Sequence, residues 1–206
     1  MNSTTLAVVK GITVLQDDDG RVHWQSGAAV DADGANGQNG KPFSYRKDDK
    51  GLDALANAGY PNQSWRDVLV VENDRPKDDG NGNWYSMTTY AWKGRPVETR
   101  YVDSTTVPYV VVNPHVRMKA KGVVIGCKAR VTYKSGKKKA KKIDAVVADV
   151  SGGADIGELS IAAAEKLGIP SSPRHGGVNS GVTFEFWPDQ PAKVNGEVYE
   201  LKPAGG

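Results

Sequence analysis

Short apolar runs alternate along the chain with turns rich in glycine, proline, asparagine and aspartate, and few of them recur with helical spacing. Residues 5–15, TLAVVKGITVL, predict one or two strands broken at Gly11, and Val22 to Trp24 predict a return strand after the turn Asp17 to Gly20. VDADGANGQNGKPFSYR, residues 30–46, predicts an ordered loop. Gly51 to Pro61 predicts a short helix with Leu52 and Leu55 on one face and a glycine stop at Gly59. Trp65 to Glu72, Trp84 to Trp92, Tyr109 to Val112, Val123 to Tyr133 and Ile143 to Val150 each predict a strand, and KSGKKKAKK joins the last two as a hairpin tip. Glu158 to Leu167 predicts a second helix, ended by Gly168 with Pro170 beyond it. Two short strands, GVTFEFW and GEVYELK, close the chain. Roughly eight to ten short strands with two short helices predict a mainly β (α+β) fold, a barrel or sandwich in a single domain over residues 1–206.

Composition adds bounds. The chain is 38% hydrophobic and 25% charged, as expected of a globular protein. One cysteine, Cys127, excludes an internal disulfide, and its apolar setting, GVVIGCKARV, reads as a small buried side chain rather than a nucleophile. His23, His115 and His175 show no metal-ligand spacing, so neither a metal nor another cofactor is expected. The amino terminus, MNSTTLAVVKGITVLQDDDG, lacks a basic leader region, and no run is long enough to span a membrane. Charge is unevenly placed. Arg117 to Lys142 holds eleven basic residues and no acidic one, so subtracting eleven from the net charge of +3 leaves the rest of the chain at −8. The lysine-rich tip reads as a solvated hairpin end, without the interleaved aromatics of a specific nucleic-acid surface.

The candidate chemistry lies in AVVADVSGGADIGELSIAAAEKLGIP, residues 145–170. Asp149 ends a buried apolar run, where a carboxylate costs free energy unless it is paired or functional. Glu158 follows nine positions later, across a glycine-rich turn. Two carboxylates converging on one cleft are the minimum equipment for breaking a glycosidic bond. Each has a plainer alternative. Asp149 can cap the glycine turn, and Asp155 with Glu158 fits a capping box. Asp31 and Asp33 fall in a DADG turn of a kind that holds a cation or bonds sugar hydroxyls, with a plain polar turn as the alternative. That turn resembles the start of a calcium loop but lacks its glycine and terminal glutamate. Of the aromatics crowded into the middle of the chain, Tyr45, Tyr60, Trp65, Trp84, Tyr85, Tyr90 and Trp92, most are expected in the core and one or two beside bound sugar. The residues assigned to substrate binding are Asp31, Asp33, Tyr45 and Asp155.

AVVADV followed by DIGELSIAAAEKLGI resembles the signature of the chitosanases of glycoside hydrolase family 75, known from fungi, bacteria and viruses. VDADGANG with GLDALANAGYP, VDSTTVPYVVVNP, and Gly176-Gly177 with GVTFEFWP are similar to other parts of those domains, in the same order, so that the resemblance covers about residues 28–190. It implies a barrel akin to the double-psi type. It also implies a secreted, endo-acting, inverting hydrolase of chitosan, the β-1,4 polymer of glucosamine, with Asp149 and Glu158 as its catalytic pair. Action outside the cell is then expected, after removal of a leader or after release by lysis, as a virus-encoded member would be released. The lysine-rich tip is not part of that signature. Chitosan is a polycation, so the acidic part of the chain suits its cleft and the basic hairpin is expected to point away. The expected partners are chitosan or chito-oligosaccharides, with no specific nucleic acid, no membrane and a monomeric state. Two other classes stay open: a hydrolase of chitin or peptidoglycan, and a non-catalytic module binding polysaccharide or nucleic acid.

Overall fold

The structure, a computed structural model, describes residues 2–38, 59–62, 64–80 and 83–202. Its strands in chain order are β1 Ser3–Val9, β2 Ile12–Asp17, β3 Val22–Asp31, β4 Gly37–Gln38, β5 Val71–Glu72, β6 Arg75–Pro76, β7 Asn83–Trp84, β8 Tyr109–Val112, β9 Cys127–Tyr133, β10 Lys141–Val150, β11 Glu158–Ser160, β12 Val178–Val194 and β13 Glu197–Tyr199. Among the described residues strand accounts for 45% and helix for 12%, which fixes the class as mainly β. The main sheet runs β1-β2-β3-β11-β8-β10-β9-β12-β13, and β12 also pairs with β3. The ring β3-β11-β8-β10-β9-β12 therefore closes on itself as a six-stranded barrel. Closure removes the exposed edges that an open sheet would present. Two of its pairs, β10 with β8 and β11 with β3, are parallel, and the remaining pairs are antiparallel.

Local sequence explains the pairing. Lys10 and Gly11 both have positive φ, 47° and 78°, so β1 and β2 form a two-residue hairpin where the sequence shows only a break. Asn195-Gly196 does the same between β12 and β13. Inside the barrel Trp24 stacks on Phe184 at 5.0 Å and meets Phe186 edge-on at 4.9 Å. These residues come from strands in register, Phe184 opposite Trp24 on one side and opposite Val131 on the other. Ala145 to Asp149 of β10 are buried at every position, because one face looks inward and the other lies under the helix Ile161–Leu167. That double cover is why the strand reads as a continuous apolar run.

Among the described residues there are four short helices: Trp65–Val68, Val97–Arg100, Pro114–Lys119 and Ile161–Leu167. The first takes up half of the stretch expected to be one strand, Trp65 to Glu72. Of Trp84 to Trp92, also expected as a strand, Trp84 ends β7 and the rest is anchored by single bridges at Ser86 and Ala91. The predicted helix Gly51 to Pro61 lies mostly outside the described residues. The helix expected from Glu158 begins instead at Ile161. Ser160 is its N-cap, its hydroxyl accepting from Ala163 N at 3.1 Å, and Gly168 at φ 74° ends it. Among the described residues no helix is long and apolar enough to cross a membrane.

Candidate active site

One irregularity in β10 decides where Asp149 points. Val146 and Val147 pair with Tyr109 and Val110 of β8, but Asp149, not Ala148, pairs with Val111. Side chains alternate faces along a strand, so an unbroken ladder would set Ala148 opposite Val111 and turn Asp149 to the other side. The extra residue is a β-bulge, a device that re-aims a side chain. Across β8, Glu158 of β11 is also in register with Val111. Asp149 and Glu158 thus flank Val111 on one face, two ladder spacings apart, or about 9.6 Å between backbones. Glu158 is paired on its far side with Ala29 of β3, and Asp31, two residues on, shares that face.

The residues around the pair are held by specific contacts. Asp149 is 6% exposed, and its Oδ1 accepts from Thr89 N (3.1 Å), Thr89 Oγ1 (2.5 Å) and Val150 N (2.7 Å). Asp31 Oδ1 accepts from Asp33 N at 2.9 Å, which closes the DADG turn on itself. Gly34, at φ 82°, completes that turn against Val102, whose carbonyl oxygen would lie 1.9 Å from any added Cβ, so only glycine fits. Tyr109 rises from β8 beneath the cluster. Its hydroxyl donates to the Asp33 carbonyl at 2.9 Å. Burial pushes its phenol well above the usual range, with the negative charges of Asp31, Asp33 and Asp149 adding to the shift, so it stays a donor. Asn113, 1% exposed, pins the turn between the two acids by donating to the carbonyls of Gly153 (3.1 Å) and Asp155 (2.8 Å). Gly157, at φ 96°, then delivers Glu158 to the ladder, close against Ser26 and Gly27.

The structure therefore brings together the carboxylates of Asp31, Asp33 and Asp149 and sets Glu158 in register with Asp149 across Val111. Asp155 stands on the surface in an ion pair with Lys10. Tyr45 lies outside the described residues. The capping-box role of Glu158 is removed, since Glu158 is in a strand and Ser160 caps the helix. Of the crowded aromatics, Trp65 and Tyr90 are core, and Trp92 borders a groove of about 640 Å³ that Thr89 also lines. Thr89, Tyr109 and Asn113 are the site residues that the sequence reading missed. Only Asn113-Pro114 left a legible trace, as the end of a strand.

Asp31, Asp33 and Asp149 each offer a carboxylate oxygen within 4.8 Å of the others. That oxygen-only donor set is of the kind hard divalent cations take, and it is the one such group among the described residues. Sequence reasoning expected no metal because it followed histidine spacing and calcium-loop pattern, whereas this group assembles from two strands distant in sequence. The lysine tip lies at the far end of β10 from Asp149. Lys141 and Asp149 are separated by most of the strand, about 26 Å at 3.3 Å per residue. The basic hairpin thus joins β10 at the end opposite Asp149.

No protein-family model matches the chain, and no curated protein matches it.

Proposed function

We propose that the protein is an endo-acting chitosan hydrolase that inverts at the anomeric carbon, with Glu158 as general acid and Asp149 as general base. The observation that carries this reading is the bulge in β10, which puts Asp149 on the same face as Glu158 across Val111. In an inverting glycosidase the two carboxyls stand roughly 6.5–9.5 Å apart to admit a water, whereas a retaining pair stands at about 5 Å. The inverting assignment follows the family resemblance, because the ladder spacing fixes the backbones and not the carboxyls: those of Asp31 and Asp149, three strands apart, meet within 4.8 Å.

The chemistry follows from that assignment. Glu158, on the partly open strand β11, gives its proton to the glycosidic oxygen as the bond to the anomeric carbon breaks. Asp149 takes a proton from a water on the opposite face of the ring, and the water oxygen forms the new bond to that carbon. Three neutral donors hold Asp149 Oδ1 in place and so fix the carboxylate that takes this proton. Asp31 and Asp33 add negative charge beside the scissile bond, which attracts protonated glucosamine amines.

A second reading, hydrolysis of an acetylated glycan such as chitin or peptidoglycan, has one observation in its favour. The groove that starts at Thr89 is lined by Trp92 and by Lys93, Arg100 and Lys202, cations that repel protonated amines and tolerate acetamides. Reducing ends released from fully deacetylated and from acetylated oligomers separate the two. Faster cleavage of the deacetylated series is the expected result, and cleavage confined to the acetylated series would replace chitosan as the substrate.

A further inference from the structure

We propose that Thr89 is a positioning residue for Asp149, and that the segment Thr88–Tyr90 is the clamp that holds the β10 bulge in its productive form. A bulged residue loses its place in the ladder, so something else must satisfy its backbone. Here Tyr90 N donates to the carbonyl of the bulged residue, Ala148, at 2.8 Å. One residue earlier, Thr89 gives both its backbone N–H and its hydroxyl to Asp149 Oδ1. Three hydrogen bonds from two adjacent residues therefore fix the bulge and the carboxylate it re-aims. The clamp is itself anchored. Thr88, 5% exposed, donates its hydroxyl to the Tyr90 carbonyl at 2.8 Å and accepts from Val102 N at 3.0 Å.

With Oδ1 held by three donors, the plane of the Asp149 carboxylate is set, and with it the direction of Oδ2. A base that activates water must keep that direction within a fraction of an ångström, and a misplacement of about 1 Å can cost on the order of 10²-fold in rate. Thr89 is exposed and contributes little to the core, so its hydroxyl has no evident packing role. Valine in its place keeps the shape and removes the hydroxyl, whereas serine keeps the hydroxyl.

This inference rests on the chitosanase reading for its kinetic test and is independent of it for its structural one. With fully deacetylated chitosan, Thr89→Val is expected to lose about 10-fold to 100-fold in kcat with KM within about twofold of wild type, and Thr89→Ser to recover most of the loss. Wild-type kcat in Thr89→Val, or equal loss in both variants, would overturn it. Crystal structures of the same proteins read the carboxylate directly. Asp149 is expected in one orientation in wild type and Thr89→Ser and rotated in Thr89→Val. An unmoved Asp149 in Thr89→Val would overturn the positioning role whatever the substrate proves to be. Inactivity of wild type on chitosan, with Asp149 rotated in Thr89→Val, would fault the substrate and leave the clamp standing.

Discussion

Asp17 and Asp149 are buried to nearly the same degree, 5% and 6% exposed, and each sits at or next to the end of a strand, yet their surroundings differ in kind. Asp17 is surrounded by a guanidinium, an imidazole and a hydroxyl. Arg21 reaches its Oδ2 with Nε at 2.8 Å and Nη2 at 2.6 Å, and His23 Nε2 (3.0 Å) and Ser3 Oγ meet its Oδ1. The Ser3 hydroxyl and the Arg21 guanidinium hold this carboxyl well below the usual carboxylate range, with His23 adding to them. Asp149 receives neutral donors on Oδ1 and has Asp31 and Asp33 oxygens within 4.8 Å. Like charges gathered in a buried place raise free energy, and a fold retains them where they do chemistry. The contrast supports the proposal that Asp149 serves the reaction, while Asp17 serves stability.

Substitutions can break that contrast. The largest effect is expected at the second region. Asp149→Asn and Glu158→Gln should each fold and melt like wild type while losing about 10²–10⁴-fold in chitosan cleavage, measured as reducing ends released. Turnover near wild type in either variant removes that residue from the mechanism. At the first region the effect should fall on stability. Asp17→Asn leaves Arg21 and His23 facing a neutral amide and is expected to cost about 1–3 kcal/mol in urea unfolding, with kcat unchanged. Loss of activity at full stability there would merge the two regions.

The pH dependence sharpens the same division. A carboxyl whose native pKa is depressed contributes stability that is full above its unfolded value of about 3.9 and is lost as the pH falls below it. Wild type should therefore lose Tm more steeply between pH 5 and pH 2.5 than Asp17→Asn does. Parallel curves would show that the Asp17 network contributes nothing measurable. The smallest effect belongs to the lysine tip. At about 26 Å from Asp149 it lies some three Debye lengths away at physiological salt. Replacing Lys137, Lys138 and Lys139 with glutamine should leave chitosan turnover within about twofold of wild type. A larger change would place the tip in the substrate path.

The sequence displayed the strand that carries Asp149, because the four buried positions before it, Ala145 to Ala148, leave an unbroken apolar run. It did not display the direction of Asp149, because the bulge exists only in the register between β10 and β8. Glu158 was assigned to a helix because an alanine-rich run and the Asp155 spacing imitate a capping box. Two local facts outweigh that pattern: Gly157 adopts a left-handed conformation, and the hydroxyl of Ser160 is better placed to cap. Thr89 is 60 positions from Asp149 and exposed, so no periodicity marks it. The acidic face was half legible. The DADG turn stood out as chemistry, but its meeting with Asp149 depends on closure of the barrel.

The most direct test of the central claim is the anomeric form of the sugar released from a fully deacetylated glucosamine hexamer, followed by proton NMR for wild type and Glu158→Gln together. Inversion at a β linkage predicts that wild type first releases α reducing ends, which then mutarotate, and that Glu158→Gln releases almost none. First-formed β ends would contradict the inverting geometry of Asp149 and Glu158, and equal release by the two proteins would remove Glu158 from the reaction.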